Sequence, residues 1–332
     1  MERRDFLKLT AASGLLIVAD ALPSQASAAK ALPPDAVGIL YDATLCIGCK
    51  SCMVACKDVN SQQGGALWSE GRKKEDLYER VDGLPIWDAP QDLSGRTVNI
   101  IQEYRGGEST AKDDVNGYSF VKRHCMHCVH PGCVSACPVS AMQKDPATGI
   151  VTYNKDACIG CRYCLVACPF NIPKFEWDQA FPQIRKCQLC RHREPGKYSA
   201  CCEACPTGAS IYGKVTDLQR EAARRLALRA GDHTSYPLKR VDAAATVESK
   251  VARYEQQTYG LHEVGGTQYL LLSGVPFDKL GLPQLPEDAF AAKSETIQHT
   301  LYKGMIAPGV LLAGLLFAAY KSSQDHEGGT KP

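Results

Sequence analysis

The distribution of cysteines constrains the fold of this chain more than any other feature of its sequence. The seventeen cysteines are not scattered but fall into four bunches. The bunches are motif I (Cys46, Cys49, Cys52, Cys56), motif II (Cys125, Cys128, Cys133, Cys137), motif III (Cys158, Cys161, Cys164, Cys168) and motif IV (Cys187, Cys190, Cys201, Cys202, Cys205). Motifs I and III share the spacing C-x2-C-x2-C-x3-C, whereas motif II widens the middle gap to four residues and motif IV widens it to ten. The chain therefore carries an internal repeat of four short, cysteine-bearing loops.

This spacing favours iron–sulfur chemistry over disulfides or zinc. Cysteines three residues apart share one loop and cannot all find distant disulfide partners, and their total is odd. A zinc site needs two C-x2-C pairs and would leave the third and fourth cysteines of each bunch unexplained. The C-x2-C-x2-C-x3-C run is typical of bacterial ferredoxins, in which three thiolates bind one cluster and the fourth binds a neighbouring cluster. The sequence therefore predicts four [4Fe–4S] clusters.

The same crossing rule predicts which cysteines share a cluster. Motifs II and III are only twenty residues apart, so they are expected to pair, and motifs I and IV then pair with each other. A proline follows the last cysteine of motifs II, III and IV and turns the chain away from helix. The predicted ligands are set 1 (Cys46, Cys49, Cys52, Cys205), set 2 (Cys125, Cys128, Cys133, Cys168), set 3 (Cys158, Cys161, Cys164, Cys137) and set 4 (Cys187, Cys190, Cys201, Cys56). Cys202 is left over, because only Cys201 keeps the C-x3-C ending of the other motifs.

Other polar residues near the motifs are not expected to be cluster ligands. Every motif already supplies four thiolates, so the four adjacent histidines are expected to be structural: His124, His127, His130 and His192. Six basic residues could offset cluster charge or simply be solvated: Lys122, Arg123, Arg162, Lys174, Arg185 and Lys186. With a net charge of +2, the chain offers no strong field for nucleic acid.

The two ends of the sequence predict export and attachment. Residues 1–28 combine Arg3-Arg4, a short apolar region and Ala26-Ser27-Ala28, a layout typical of a twin-arginine signal peptide. Residues 304–320 carry no charge and would reach about 26 Å as a helix, so we expect a transmembrane anchor at 301–321 with a polar tail at 322–332. Pro308 is expected in the first turn of that helix. A buried or interfacial helix is the alternative.

Between the ends, the sequence predicts an α+β protein built from two dicluster ferredoxin-like modules. Motif I is expected at 37–58, the module with motifs II and III at 118–178, and motif IV at 179–215. The insertion at 59–117, with Trp68, Trp87 and Tyr104, is either solvated or a docking surface. The extension at 216–300 is expected to hold an amphipathic surface helix at 217–229 and a loop-rich segment at 234–297.

The four motifs, the twin-arginine start and the C-terminal apolar segment resemble the four-cluster ferredoxin subunits of complex iron–sulfur oxidoreductases. Within that group the chain is similar to the HybA-type subunits of periplasmic nickel–iron hydrogenase-2, a similarity carried by HCMHCVHPGCVSACPVSAMQKDPATGIV, CIGCRYCLVACPFNIPKFE and SETIQHTLYKGM. The resemblance implies electron transfer at the periplasmic face of the inner membrane, without a catalytic site in this chain. It implies four kinds of partner: the hydrogenase small and large subunits, a quinone-reducing membrane subunit and the twin-arginine export machinery.

Other functions remain open on the sequence alone. The β-subunit of a formate dehydrogenase, or of another molybdopterin oxidoreductase, would carry the same four motifs. An assembly scaffold that holds clusters for transfer elsewhere belongs to a different class, and so does a disulfide-stapled anchor protein. Stable cluster potentials would argue against the scaffold, and a colourless preparation would be needed to support the disulfide protein.

Overall fold

The computed structural model describes residues 31–61, 80–81, 84–85, 92–177, 180–194 and 196–327. The described residues fall into two units, one comprising Ala31–Ala289 and the other beginning at Phe290. The predicted signal peptide, Trp68 and Trp87 lie outside the described residues.

The described residues contain short strands and, with one exception, short helices. The strands are β1 (Val37–Asp42), β2 (Arg80–Val81), β3 (Leu84–Pro85), β4 (Ile100–Arg105), β5 (Tyr118–Arg123), β6 (Met142–Lys144), β7 (Val151–Tyr153), β8 (Lys174–Phe175), β9 (Ile184–Arg185), β10 (Ser210–Lys214), β11 (His233–Pro237), β12 (Thr246–Lys250) and β13 (Tyr269–Leu272). The helices are α1 (Ser51–Ser61), α2 (Gly132–Ser135), α3 (Tyr163–Val166), α4 (Ala200–Glu203), α5 (Val215–Leu226) and α6 (Phe290–Glu327), with 3₁₀ turns at Ala43–Leu45 and Glu263–Gly265. The predicted mixture of helix and strand is observed.

A three-stranded sheet with the order β10–β1–β13 forms the core of the larger unit. β1 pairs antiparallel to β10, with Ile39 opposite Tyr212, and parallel to β13, with Ile39 opposite Tyr269. The run VGILYD in β1 is apolar on successive residues because both faces of the strand are covered. Ile39 and Tyr41 pack among the cysteine loops, whereas Leu40 packs on the other face with residues of α5.

The segment 234–297, expected to be loop-rich, contributes to this core. β11 and β12 pair as a hairpin, and β13 is an edge strand of the central sheet with all four side chains buried. Most of the segment is irregular, as expected, but the sequence did not predict β13, because four apolar residues are too few to identify a strand by pattern. The partner strand β1 lies far earlier in the chain, so tertiary pairing alone makes β13 recognisable.

Part of the predicted insertion at 59–117 is also buried in the core. β4 pairs antiparallel with β5 from Ile100 opposite Arg123 to Arg105 opposite Tyr118. Ile100 and Ile101 are buried in the same cluster of side chains as the cysteine loops. Residues 106–116 are mostly exposed, so the choice between a solvated insertion and a docking surface stays a prediction.

Each cysteine motif contains a helix that carries its third cysteine, and the residue after the fourth cysteine sets the length of that helix. α2, α3 and α4 have four residues each and end before the proline that follows the motif. In motif I, Lys57 replaces this proline, and α1 continues for eleven residues. α1 packs against α4, and α2 packs against α3, which joins motif I to IV and motif II to III.

The predicted amphipathic helix is observed as α5, but one of its charges faces the core. Arg225 is fully buried and forms ion pairs with Asp42 of β1 at 2.9 Å and with Glu221 at 2.8 Å. The Tyr254 hydroxyl donates a hydrogen bond to the same carboxylate of Asp42 at 2.7 Å. The expectation of a plain surface helix was wrong at this position, because periodicity does not show that a charge has a buried partner.

The smaller unit contains α6, a continuous helix of 38 residues. Pro308 lies well inside it, so the expectation that Pro308 occupies the first turn was wrong. Apolar side chains of α6 are exposed, among them Leu311, Leu316 and Phe317. Across the described part of the chain, no helix is both long enough and apolar enough to cross a membrane, so the predicted anchor at 301–321 is not confirmed.

Candidate iron–sulfur centres

All seventeen cysteines lie in the described residues, and all are free thiols. The helix pairs α1–α4 and α2–α3 bring cysteines of different motifs together. In each motif the third cysteine is on the helix and the first two are on the loop before it or at its first turn. This arrangement lets a helix from one motif present its last cysteine to the loop of another.

The four cysteines of predicted set 1 line one small cavity. Cys46, Cys49 and Cys52 from motif I meet Cys205 from motif IV there, next to Tyr41 of the central strand. Burial raises the pKa of the Cys52 thiol to about 12, and the positive charge of Lys122 opposes this rise. The structure thus brings all the members of set 1 to one place.

The cysteines of predicted set 4 also meet. Burial raises the pKa of the Cys56 thiol well above its usual range, and the neighbouring thiols of Cys190, Cys187 and Cys201 raise it further. Cys56 comes from α1, and the other three come from motif IV. Mutual repulsion of this kind arises when several ionisable sulfurs surround one point, and it is relieved when a cation binds between them.

Predicted set 2 has the same electrostatic pattern. Burial raises the pKa of the Cys128 thiol well above its usual range, followed by the effects of Cys125, Cys168 and Cys133. Three of these cysteines belong to motif II, whereas Cys168 is the last cysteine of motif III. The crossing of one thiol between neighbouring motifs is therefore present here.

Predicted set 3 completes the exchange between motifs II and III. Burial raises the pKa of the Cys164 thiol to about 11, and Cys158, Cys161 and Cys137 raise it further. Cys137, Cys158 and Cys161 are partly exposed, so this set lies nearer to solvent than the others around it. Which cysteines bind which cluster stays a prediction, although the thiols group as that prediction requires.

Backbone N–H groups donate to the cysteine sulfurs in a repeated pattern. In three motifs the first cysteine accepts from the N–H two residues later, from Gly48 to Cys46, from Gly160 to Cys158 and from Leu189 to Cys187, each at 3.4 Å. In three motifs the last cysteine accepts from an N–H four or five residues later, from Ala141 to Cys137 (3.2 Å), from Ile172 to Cys168 (3.5 Å) and from Ser210 to Cys205 (3.4 Å). Donors aimed at sulfur stabilise its anionic form, which is the form that binds metal.

Motif I replaces the second of these bonds with a side chain. Because α1 continues past Cys56, the backbone N–H four residues later belongs to the helix. The side-chain amide of Asn60 donates instead, to the Cys56 carbonyl at 2.7 Å and to Cys56 Sγ at 3.4 Å. It also reaches Cys190 Sγ of the same set at 4.0 Å. Sequence reasoning missed Asn60, and its position four residues after Cys56 was the available signal.

The environment of Cys201 and Cys202 separates the two candidates for set 4. A hydrogen bond from the Cys202 thiol lowers the pKa of Cys201 well below its usual range, against the opposing effect of burial. Lys122 also lowers it, and the Ser199 hydroxyl lies 3.1 Å from Cys201 Sγ. Burial raises the pKa of Cys202 well above its usual range. These directions favour Cys201 over Cys202 as the ligand of set 4, and the choice between them stays a prediction.

Electrostatic interactions between thiols connect the four sets in a single row. Cys52 of set 1 interacts electrostatically with Cys201 of set 4. Cys187 of set 4 interacts with Cys125 of set 2, and Cys133 of set 2 interacts with Cys164 of set 3. The order in space is thus 1–4–2–3, which differs from the order of the motifs along the chain. The sequence could not give this order, because it depends on how the two modules pack.

Burial holds two of the histidines near the motifs, His124 and His127, in the neutral form. Burial and then Lys122 lower the pKa of His124 to about 4, and burial and then Lys186 lower the pKa of His127 well below its usual range. His124 Nδ1 lies 2.8 Å from the Cys125 carbonyl, and His127 Nδ1 accepts from the backbone N–H of Val151 at 2.9 Å. His130 is buried, and His192 is exposed.

Two of the six basic residues near the motifs are buried, which the sequence did not reveal. Lys122 is fully buried, and Lys186 is 7% exposed. The other four have partners at or near the surface. These pairs are Arg123 and Lys174 with Asp92, Arg185 with Glu176, and Arg162 over the ring of Trp177.

The four sets fit [4Fe–4S] clusters better than they fit single ions. In the described residues, no group of three or more His, Cys, Asp or Glu side chains could hold one metal ion. A cubane spreads its four thiolates over four irons, so its ligands lie farther apart than those of a single ion. Four-thiol groups, N–H donors on the sulfurs and a buried lysine without a carboxylate partner in the described residues all suit a polyanionic cluster.

The fold and these centres define an iron–sulfur protein of the dicluster ferredoxin class, and comparisons with known proteins agree. The family described as 4Fe-4S dicluster domain matches residues 116–215. "Hydrogenase-2 operon protein HybA" of Escherichia coli O157:H7 is 42% identical over 342 residues, covering 99% of this chain and 98% of that protein. The "Formate dehydrogenase-O iron-sulfur subunit" of Escherichia coli K12 is 31% identical over 340 residues, covering 100% and 93%.

A further relative is the iron–sulfur subunit of the nitrate-inducible formate dehydrogenase of Escherichia coli K12, which is 33% identical and covers 96% of this chain and 92% of that protein. The chain belongs to the family that contains HybA and the iron–sulfur subunits of these formate dehydrogenases. The resemblance inferred from the cysteine motifs is confirmed, and with it the function of the chain in iron–sulfur electron transfer.

Proposed function

We propose that this chain relays electrons, one at a time, along four [4Fe–4S] clusters between a periplasmic nickel–iron hydrogenase and a quinone-reacting membrane subunit. The observation that carries the proposal is the row of four thiol groups in the order 1–4–2–3, in which each group is adjacent to the next. A continuous row is what electron transfer needs, because each cluster must pass its electron to a close neighbour.

The exposure of the thiols supports transfer through the two ends of the row. Cys49 of set 1 is exposed, and Cys158 and Cys161 of set 3 are partly exposed. The two inner sets contain no fully exposed thiol, although Cys128 and Cys168 of set 2 are partly exposed. Exposed apolar side chains lie in the loops at both ends, such as Ile47 in motif I and Ile159 in motif III. Apolar contacts of this kind are suited to a partner that excludes water from the electron-transfer path.

We propose that the ligands of the clusters are the four predicted sets. When bound, each cluster accepts and releases one electron by changing the oxidation state of its irons. The residues of this chain hold the sulfurs in place, donate N–H groups to them and exclude water. The proposed modules follow the helix pairs, with motifs I and IV in one and motifs II and III in the other. On this proposal the chain has no catalytic site of its own.

The choice of a hydrogenase partner rests on the higher identity to HybA over nearly the whole chain. A formate dehydrogenase is the second candidate, because the iron–sulfur subunits of two formate dehydrogenases are also related over most of the chain. The proposed partners are the hydrogenase small and large subunits and an integral quinone-reducing subunit. Export by the twin-arginine route to the periplasmic face of the inner membrane, with attachment through 301–321, completes the proposal.

The first experiment tests the relay in membranes. A strain lacking this chain is expected to reduce an artificial dye with hydrogen at the wild-type rate and to lose hydrogen-driven quinone reduction. The same membranes assayed with formate serve as the control for the second candidate. Hydrogen-driven quinone reduction that persists in the deleted strain would contradict the proposal, and loss of the formate-driven reaction instead would favour the formate dehydrogenase.

The second experiment counts the clusters. Full-length protein reconstituted without oxygen is expected to contain about sixteen iron per chain, four for each of four cubanes. About eight iron, or bound zinc in place of iron, would overturn the four-cluster arrangement.

A further inference from the structure

Lys122 of β5 has an unusual environment for a lysine. Its side chain is fully buried, and its ammonium donates a hydrogen bond to the Ser210 hydroxyl at 3.0 Å. Its backbone carbonyl accepts a hydrogen bond from Tyr269 of the central sheet at 2.8 Å, which fixes the strand at this point. A serine hydroxyl is a neutral partner and does not compensate a full positive charge.

No carboxylate in the described part of the chain forms an ion pair with Lys122. Burying an unpaired ammonium costs several kcal/mol, so the position is stable only if other negative groups surround it. Besides the Tyr269 phenol, the groups that act on it are sulfurs, those of Cys201, Cys52 and Cys202. Two of these belong to different ligand sets, because Cys52 is in set 1 and Cys201 is in set 4.

Ser210 connects the ammonium to set 1 by a second path. Its hydroxyl accepts from Lys122, while its backbone N–H donates to Cys205 Sγ at 3.4 Å. Cys205 is the ligand that motif IV contributes to set 1. The ammonium therefore lies at the junction of set 1 and set 4, where motif I packs against motif IV.

We propose that Lys122 sets the reduction potentials of clusters 1 and 4 together, as a positioning residue whose buried charge favours the reduced form of both. The inference rests on the proposed function, since it needs the clusters to be present. One added electron makes a cluster more negative by one charge, and a fixed positive charge nearby stabilises that product. Salt screens this interaction only weakly, because the ammonium and the nearest thiols of the two sets, Cys52 and Cys201, are buried.

The arrangement has a consequence for the first step along the row. A charge shared by two neighbouring clusters raises both potentials in the same direction. It therefore changes the difference between them less than a charge beside only one of them would. Lys186 is buried near set 2 but donates to the backbone carbonyls of Val151 and Cys187, so carbonyl dipoles partly satisfy its charge.

The test is a redox titration followed by electron paramagnetic resonance on full-length, fully loaded protein. In Lys122→Met, two of the four clusters are expected to have a reduced-to-oxidised ratio at least tenfold lower at a given potential, a shift of about 59 mV for a one-electron couple. The other two clusters are expected to shift by much less. Iron analysis is measured on the same sample, so that a loss of clusters is not mistaken for a shift.

The matched control is Lys214→Met, which removes a lysine from β10, the strand that also carries Ser210. Lys214 is 55% exposed and pairs with Asp35 at 2.7 Å, so solvent screens its charge and all four potentials should stay at wild-type values. If Lys122→Met fails to assemble, Lys122→Gln retains a donor for Ser210 and is the variant to titrate. Lys122→Arg keeps the charge and should restore the potentials.

Fully loaded Lys122→Met or Lys122→Gln protein with wild-type potentials would overturn the inference, and so would an equal shift of all four clusters. Fewer than four clusters in the wild-type protein would instead overturn the proposed function. The two failures are therefore distinguishable in one set of samples.

Discussion

The two halves of the cluster region, motifs I and IV on one side and motifs II and III on the other, solve the same ligand problem differently. Motifs II and III each use a four-residue helix, a following proline and a backbone N–H to the last sulfur. Motif I uses an eleven-residue helix and the side chain of Asn60. The I–IV half also has the buried Lys122 and contributes β1 and β10 to the central sheet.

The comparison shows that cysteine spacing and local backbone are separate requirements. Spacing decides which sulfurs reach a common point, and it is similar in both halves. The way the helix ends decides how the last sulfur is hydrogen-bonded, and here motif I differs from motifs II, III and IV. A motif that uses a side-chain donor loses this hydrogen bond when the residue is substituted. A motif that uses a backbone N–H keeps the hydrogen bond whatever the side chain is. The following predictions use that contrast.

The largest effect is expected from removing a predicted cluster ligand in the I–IV half, where two adjacent cysteines compete for one position. Cys201→Ala should lose one whole cluster, about four iron per chain, because a buried thiolate of set 4 is removed. Cys202→Ala is the matched control next to it and should retain about sixteen iron. Iron analysis and spin quantitation of the reduced proteins measure both. Loss of a cluster in Cys202→Ala with retention in Cys201→Ala would reverse the assignment.

The next effect concerns the sheet that belongs to the I–IV half. Arg225→Met should lower the free energy of unfolding by about 3–5 kcal/mol, because it leaves Asp42 buried without its cation. Denaturant midpoints measured without oxygen report the change. Arg220→Met on the same helix removes a 79% exposed partner of Asp217 and should change stability by less than about 0.5 kcal/mol. Equal effects of the two substitutions would show that burial of Arg225 does not matter for stability.

A smaller effect is expected when motif I is made to resemble the other motifs. Lys57→Pro introduces the proline that motifs II, III and IV carry, but inside a helix it should cost about 3 kcal/mol. The lowered denaturant midpoint is the measurement, and Lys57→Ala is the control for loss of the lysine side chain. A Lys57→Pro protein as stable as Lys57→Ala would mean that α1 ends at Cys56 in solution.

The smallest effect is expected at Asn60. Asn60→Leu removes the donor to Cys56 Sγ, so the reduction potential of cluster 4 should fall. The reduced-to-oxidised ratio of this cluster at a given potential should decrease by a few-fold, with iron content unchanged. Redox titration measures the shift, and Asn116→Leu, at an exposed turn, is the control. An unchanged potential in fully loaded Asn60→Leu would mean that this side chain does not replace the backbone donor.

Much of the site followed from the sequence because ligand spacing is a local property. The exchange of Cys137 and Cys168 between motifs follows from a rule about short loops, and the thiols group in that way. Properties that depend on distant partners did not follow. The burial of Lys122, the strand β13 and the ion pair of Arg225 each need an element far away in the chain, and no pattern within one segment encodes them.

The parallel pairing of β13 with β1 has a consequence for the order in which the protein forms. β1 directly precedes motif I, yet its two neighbours are β10 and β13, which a ribosome makes long afterwards. Closing such long loops is slow and brings no contact until the ends meet. The earliest thiols to be synthesised should therefore be among the last to reach their final geometry. Truncation before Tyr269 is expected to leave the half that contains motif I unfinished, even though every cysteine is present.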